Sequence, residues 1–267
     1  MNEEYKSLIE KAKGDHAKRK KIIERPGKSD ILCPRWYDLG LDGSFVEELN
    51  LWNYWQGIGV DHPELMVVGQ DWGKIDAGSP LFKNIQAIAV NPDGDARYLS
   101  GCELEDIDFQ TDKELVKIFR THLGWDLIKE RRKELYFTNL CLGYRQDKST
   151  GDWRESWLSA DMDYFSRLVE IKRPEAIVCL GRATSEKAYR ALTKKKLQMP
   201  SRFNDFLDGG SNGMTLPICG SPKFFVVAHP GGMGAANRKR AKGDDWSVAD
   251  DWAFLEDLFK KCPEVRS

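Results

Sequence analysis

A short, Val-rich apolar run that stops at a glycine constrains this chain most: Leu65-Met66-Val67-Val68-Gly69, followed at once by Gln70-Asp71 and then Trp72-Gly73. A run this short, rich in β-branched residues and bounded by turn residues, suits a strand of a parallel sheet buried on both faces better than a helix. An ordinary strand ending in an Asp turn would leave the same trace once. The pattern recurs, however, at Tyr136 to Asn139, Ala176 to Gly181 and Phe224 to Pro230, each an apolar run ending in Asn, Gly or His-Pro. Open α/β sheets bind ligands beyond the carboxyl ends of their strands. Gln70, Asp71, Asn139 and His229 therefore stand where chemistry is expected.

The segments between these runs read as helices. Glu3 to Arg25 carries Tyr5, Leu8, Ile9 and Ala12 at helical spacing, with a basic portion from Lys13 to Lys21 that suits a solvated face. Ser44 to Gln56 follows, then Thr111 to Leu123, where Thr111 and Glu114 form a capping-box pattern. Ser156 to Ile171, Ala183 to Lys195 and Trp246 to Lys261 complete the set. Strands alternating with helices imply right-handed β-α-β crossovers. The expected fold is α/β, a three-layer α/β/α domain with a four-stranded parallel sheet over residues 61–267, preceded by an N-terminal helical extension at 1–60. Two stretches, Gly73 to Gln110 and Met199 to Gly220, lack periodicity and read as a long functional loop and an insertion.

At 267 residues the chain suits one large α/β domain. Its formal net charge of -1 excludes a global attraction to polyanions, so any such contact has to come from local patches. Met1 to Gly14 is charged and has no apolar core of a signal peptide, and no stretch approaches the roughly 18 apolar residues of a membrane span. A soluble, cytoplasmic monomer is expected. The six cysteines form no C-x-x-C pair and read mainly as small buried hydrophobes, so neither metal nor cofactor is expected. No G-x-G-x-x-G or P-loop pattern follows the first strand, which argues against a nucleotide-binding α/β protein.

With these residues in place, a family likeness emerges. Gly69-Gln70-Asp71 after a Val-rich strand resembles the first motif of uracil-DNA glycosylases, and His229-Pro230-Gly231-Gly232-Met233 resembles their His-Pro-Ser-Pro-Leu loop. Thr138-Asn139-Leu140 and Cys179-Leu180-Gly181-Arg182-Ala183 match the remaining signposts of that superfamily in order, so the likeness covers roughly residues 64 to 260. Two departures stand out. The uracil-specific family has Pro-Tyr after the Asp, and that Tyr excludes a C5 substituent. Here Trp72 and Gly73 follow, and Gly73 leaves room for one. The four-cysteine pattern of the iron–sulfur glycosylases is missing, so no cluster is carried over.

The resemblance implies a DNA glycosylase that flips out and excises uracil or a C5-modified pyrimidine, leaving an abasic site. In that scheme Asp71 and His229 are catalytic, the carboxylate supporting the oxocarbenium-like sugar and the attacking water, the imidazole holding the departing base anion. Asn139 reads the base edge, the Gln70 backbone faces a base carbonyl, and Phe82 either stacks on the base or packs in the core. Gly231 and Gly232, with Gly234, allow close backbone approach to phosphates. Met233 either fills the vacated stack or lies against its own loop. Arg238, Lys239, Arg240 and Lys242 would neutralise phosphates, or form a merely solvated basic loop. The absence of a Lys placed to attack the sugar implies a monofunctional enzyme, with Lys74 as the one nearby amine. Two alternatives stay open: a silent DNA- or base-binding relative, and a defence glycosylase acting on bulky modified bases in foreign DNA.

Overall fold

The computed structural model describes residues 3–23, 60–70, 103–107, 110–140, 155–209 and 213–260. The expected helix at 44–56, most of the 73–110 stretch, and Asp71, Trp72, Gly73, Lys74 and Phe82 lie outside the described residues.

The four apolar runs become strands β1 (Leu65–Gly69), β2 (Leu135–Asn139), β3 (Ala176–Leu180) and β5 (Lys223–Val227), all mutually parallel. A two-residue strand, β4 (Met214–Thr215), pairs antiparallel with β5 and completes a five-stranded sheet of order β2-β1-β3-β5-β4. The sheet is therefore mostly parallel with one antiparallel edge, rather than four-stranded and wholly parallel. Two residues are too few to show an alternating pattern, so β4 left no trace in the sequence.

Alternate residues of each strand enter two apolar layers. Leu65, Val67, Phe137, Val178 and Phe225 face helix α2 (Gln110–Leu123) and the closing segment. Met66, Val68, Tyr136, Ile177, Cys179 and Phe224 face α1 (Glu3–Ile23), α3 (Glu155–Lys172), α4 (Arg182–Thr193) and α5 (Phe203–Asp208). Cover on both sides is why these strands read as continuous apolar runs. The arrangement is compatible with three α/β/α layers.

Helix α1 is built into the second layer: Tyr5, Ile9 and Ala12 are fully buried against the sheet side. Its anchor is polar as well as apolar. Tyr5 and Tyr136 hydroxyls meet at 3.0 Å, and the buried Lys172 Nζ sits 4.1 Å from the Tyr5 ring centre while contacting the Val60 carbonyl and Asp61. A buried ammonium needs such partners, and cation–π contact with a desolvated lysine supplies part of the compensation.

At the C-terminal end the expected single helix at 246–261 is two pieces. A 3-10 turn (Val248–Trp252) is capped by Ser247 and Asp250 in a reciprocal box, and α7 (Phe254–Phe259) follows. The split lets Trp252 drop fully into the core beside Phe119. Between β5 and this turn lies α6 (Gly232–Lys242), a helix where the sequence reads as a Gly-rich, basic loop. No helix among the described residues is long and apolar enough to cross a membrane.

Candidate functional site at the carboxyl edge of the sheet

The chain runs from the central β1 out to β2 on one side and then crosses to β3 on the other. That reversal creates a crevice at the carboxyl ends, the position where open α/β sheets hold ligands. Gly69 is the last rung of the β1–β2 ladder, paired with Asn139, and Leu180 is the last rung of β3–β5, paired with Val227. Neighbouring strands lie about 4.8 Å apart, so the β1 and β5 ends stand about 10 Å apart.

Asn139 is buried, and its carboxamide lies directly over Gly69: a Cβ on that glycine would come within 2.1 Å of Asn139 Oδ1. Any other residue at 69 would displace the carboxamide. Leu140 N–H donates to the Gly69 carbonyl at 3.0 Å, which locks the two strand ends together. Gln70 follows Gly69 half-buried at the crevice rim.

His229 comes from the other side. It is half-buried two residues beyond β5, with its Cβ 3.5 Å from where a Cβ on Gly181 would lie. Gly181 itself, at φ 85°, turns β3 into α4 and donates its N–H to the Val227 carbonyl at 2.8 Å. Gly231 N–H donates to His229 Nδ1 at 3.2 Å, and the Gly231 carbonyl lies at the same distance. With Nδ1 accepting, a neutral ring carries its proton on Nε2. Burial pushes the His229 pKa below its ordinary value, against the smaller opposing pull of the Gly231 carbonyl, so the ring is neutral at pH 7.

Three helices begin at this edge. Gly181 caps α4 and Gly231 caps α6, neither with a side-chain cap, and Thr111 in the first turn of α2 abuts Gly231. Their N-terminal N–H groups and dipoles favour negative charge in the crevice.

Beyond the edge, the basic run divides. Met233, in the first turn of α6, is 82% exposed, the one large apolar side chain so exposed among the described residues. Gly232, Lys239 and Arg240 are also exposed, with Lys239 Nζ 3.7 Å from Asp244. Met233, Asn237 and Arg240 fall at i, i+4 and i+7 along one face of α6. Arg238 points the other way. It is 3% exposed, donates from Nε to both Asp251 oxygens at 3.1 Å, and reaches Asp208 at 2.7 Å. The arginine expected at phosphate is a structural tie between α5, α6 and the 3-10 turn. Lys242 likewise meets Asp208 at 2.7 Å. Burial would raise the Asp208 carboxyl's pKa, but Arg238 and Lys242 together hold it below the ordinary carboxylate value.

The structure thus brings Gln70, Asn139, His229 and Gly231 to one edge, sets Met233 beside it, and removes Arg238 from it. Asn237 was not among the residues singled out in the sequence, and Thr111 was singled out only for a capping-box pattern at the helix start, whereas it lies inside the first turn of α2. The i+4 spacing from Met233 would have found Asn237 had 232–242 been read as a helix; nothing local ties Thr111 to the site. A separate cleft of about 590 Å³ is lined by Asp208, Arg238, Lys242, Trp246 and Asp250, and includes none of Gln70, Asn139 or His229. Of the cysteines, Cys179 is buried in β3, where burial pushes its thiol pKa well up, and Cys219 is exposed. Comparison of the chain with protein-family models and with curated proteins returned no match.

Proposed function

We propose that this protein is a monofunctional DNA glycosylase that hydrolyses the N-glycosidic bond of an extruded uracil or C5-modified pyrimidine. The observation that carries the reading is the backbone-held His229, its pKa pushed down by burial, on the same sheet edge as the buried Asn139, with an exposed methionine four residues after the histidine. A neutral imidazole with its proton on Nε2 is a hydrogen-bond donor to a developing oxyanion, and it stays neutral as the charge forms.

In this scheme the C1′–N1 bond breaks and its electron pair passes to the pyrimidine ring. His229 Nε2–H donates to the base O2 and the N-terminal ends of α4 and α6 add positive potential, so the anion is stabilised as it leaves. Asp71, next in the chain to Gln70, balances the positive charge growing on the sugar and takes a proton from the water whose oxygen bonds to C1′. That proton ends on the departing base. Asn139 reads the far edge of the base through its amide and carbonyl. Extrusion costs a few kcal/mol of stacking and pairing, and Met233 offsets part of it by occupying the emptied stack. Arg240, Lys239 and Asn237 meet the phosphates of the strand, and Gly73 has no side chain with which to exclude a C5 group.

The test is incubation with oligonucleotides carrying uracil, mismatched thymine or bulky modified cytosines, followed by alkali. Wild-type protein should yield alkali-labile sites with at least one of them, and Asp71→Asn should not. No cleavage with any substrate, together with salt-dependent binding, would replace the enzyme with a silent DNA-binding relative. Full activity in Asp71→Asn would overturn the assignment of the carboxylate.

A further inference from the structure

We propose that Thr111, at the start of α2, is a positioning residue that selects the tautomer of His229 through the backbone of Gly231. The inference rests on the glycosylase reading for its consequence in catalysis, but not for its structural content.

Backbone of three glycines, Gly181, Gly231 and Gly234, borders His229. Gly234 brings the first turn of α6 so close that a Cβ there would lie 2.5 Å from the His229 carbonyl oxygen and 2.7 Å from its Cβ. Gly181 borders the ring's base from β3. Among the described residues the partner of Nδ1 is Gly231, which offers both an N–H and a carbonyl at 3.2 Å. Those two groups favour opposite tautomers: the N–H leaves the proton on Nε2, facing outward as a donor, whereas the carbonyl draws it to Nδ1 and leaves Nε2 an acceptor. A small change in the φ and ψ of Gly231, which moves the two groups relative to the ring, decides between them.

Thr111 stands against that backbone. A Cβ on Gly231 would fall 2.4 Å from Thr111 Oγ1, 3.2 Å from its backbone nitrogen and 3.4 Å from its Cα. Gly231 is buried, and it abuts the first turn of α2 with no room to spare. Thr111 therefore acts as a wall against which the Gly231 backbone, and through it the imidazole, is registered. Among the described residues, charged groups of the neighbouring elements pair with one another: Arg182 with Glu186 on α4, Arg238 of α6 with Asp251 and Asp208, and Glu114 with Lys117 on α2.

Long-range proton–nitrogen NMR correlation of histidine-labelled full-length protein reads the tautomer directly and needs no substrate. Wild-type His229 should show a protonated Nε2 and an accepting Nδ1. Gly231→Ala, forced off Thr111, should shift His229 toward the other tautomer or a mixture, and adding Thr111→Ala should move it back. Thr111→Ile presses on Gly231 from the helix side, where a larger side chain is compatible with the backbone, and keeps the test open if the glycine variant fails to fold; it should shift the tautomer in the same direction. In base-release assays kcat should fall about tenfold in Thr111→Ile with KM little changed. An unchanged His229 spectrum in both Gly231→Ala and Thr111→Ile, or no recovery in the double variant, would overturn the proposal. A shifted spectrum with no base released by any form, wild type included, would uphold the positioning role and remove the glycosylase reading instead.

Discussion

His229 is the residue whose protonation decides what the edge can do. Its pKa is depressed by burial from the ordinary 6.5. Between the folded and unfolded values the unfolded chain binds more protons, so stability rises with pH through that window. The contribution is fully present above about pH 6.5 and is lost as pH falls through the folded value. An NMR titration should therefore place His229 below 6.5, with the acid limb of kcat/KM below that pH too; titration at or above 6.5 would contradict a neutral donor. The two arginines of α6 give a second contrast at this scale. Arg238→Ala strands Asp251 in a buried setting and should cost about 3 kcal/mol in chemical denaturation, the range for breaking one side of a buried ion pair. Arg240→Ala should leave stability within about 0.5 kcal/mol but flatten the slope of log K against log salt by about one for DNA binding. Equal effects of the two on stability would undo the division of the basic run.

At the scale of elements, α6 teaches what a sequence hides. Gly231, Gly232 and Gly234 look like helix breakers, and a Gly-rich loop is the natural reading. Gly231 and Gly234 sit at the helix start because Thr111 and the His229 backbone come too close for a Cβ, a tertiary demand that no local pattern announces, while Gly232 has open space and a positive φ of 56°. The other end carries ordinary stop signals that the loop reading passed over: basic residues in the last turn, then Gly243 at φ 101° donating its N–H to the Lys239 carbonyl at 2.8 Å. Gly243→Ala should therefore cost about 1–2 kcal/mol, since that backbone conformation is strained for a side chain, and thermal unfolding would show it. The strands β1, β2, β3 and β5 were readable to within a residue or two, because burial on both faces leaves an uninterrupted apolar run. Strand β4 and helix α5 were not: two and six residues carry too little periodicity. Of the site, Asn139 and His229 were legible as polar stops after apolar runs, whereas the burial of Arg238 depends on Asp251 and Asp208, distant in sequence.

For the molecule as a whole, the first helix belongs to the core that carries the site. Tyr5 is 1% exposed and shares its hydroxyl with Tyr136 on β2, three residues before Asn139. Tyr5→Ala should cost about 3–5 kcal/mol, as for other buried aromatics cut to alanine, and removing residues 1–23 should leave a chain that unfolds far below the intact protein rather than an intact catalytic domain. Unchanged melting of either form would show α1 to be an appendage. The proposed function comes down to one reaction at the carboxyl edge, and its most direct measurement is chromatographic detection of free pyrimidine from a base-labelled oligonucleotide, paired with aldehyde-reactive tagging of the DNA left behind. The prediction is one abasic aldehyde for each base released and no strand break before alkali, with release abolished in Asp71→Asn and sharply reduced in His229→Ala. Label that stays on the DNA across uracil and C5-modified substrates, or equal release from the His229→Ala protein, would contradict it.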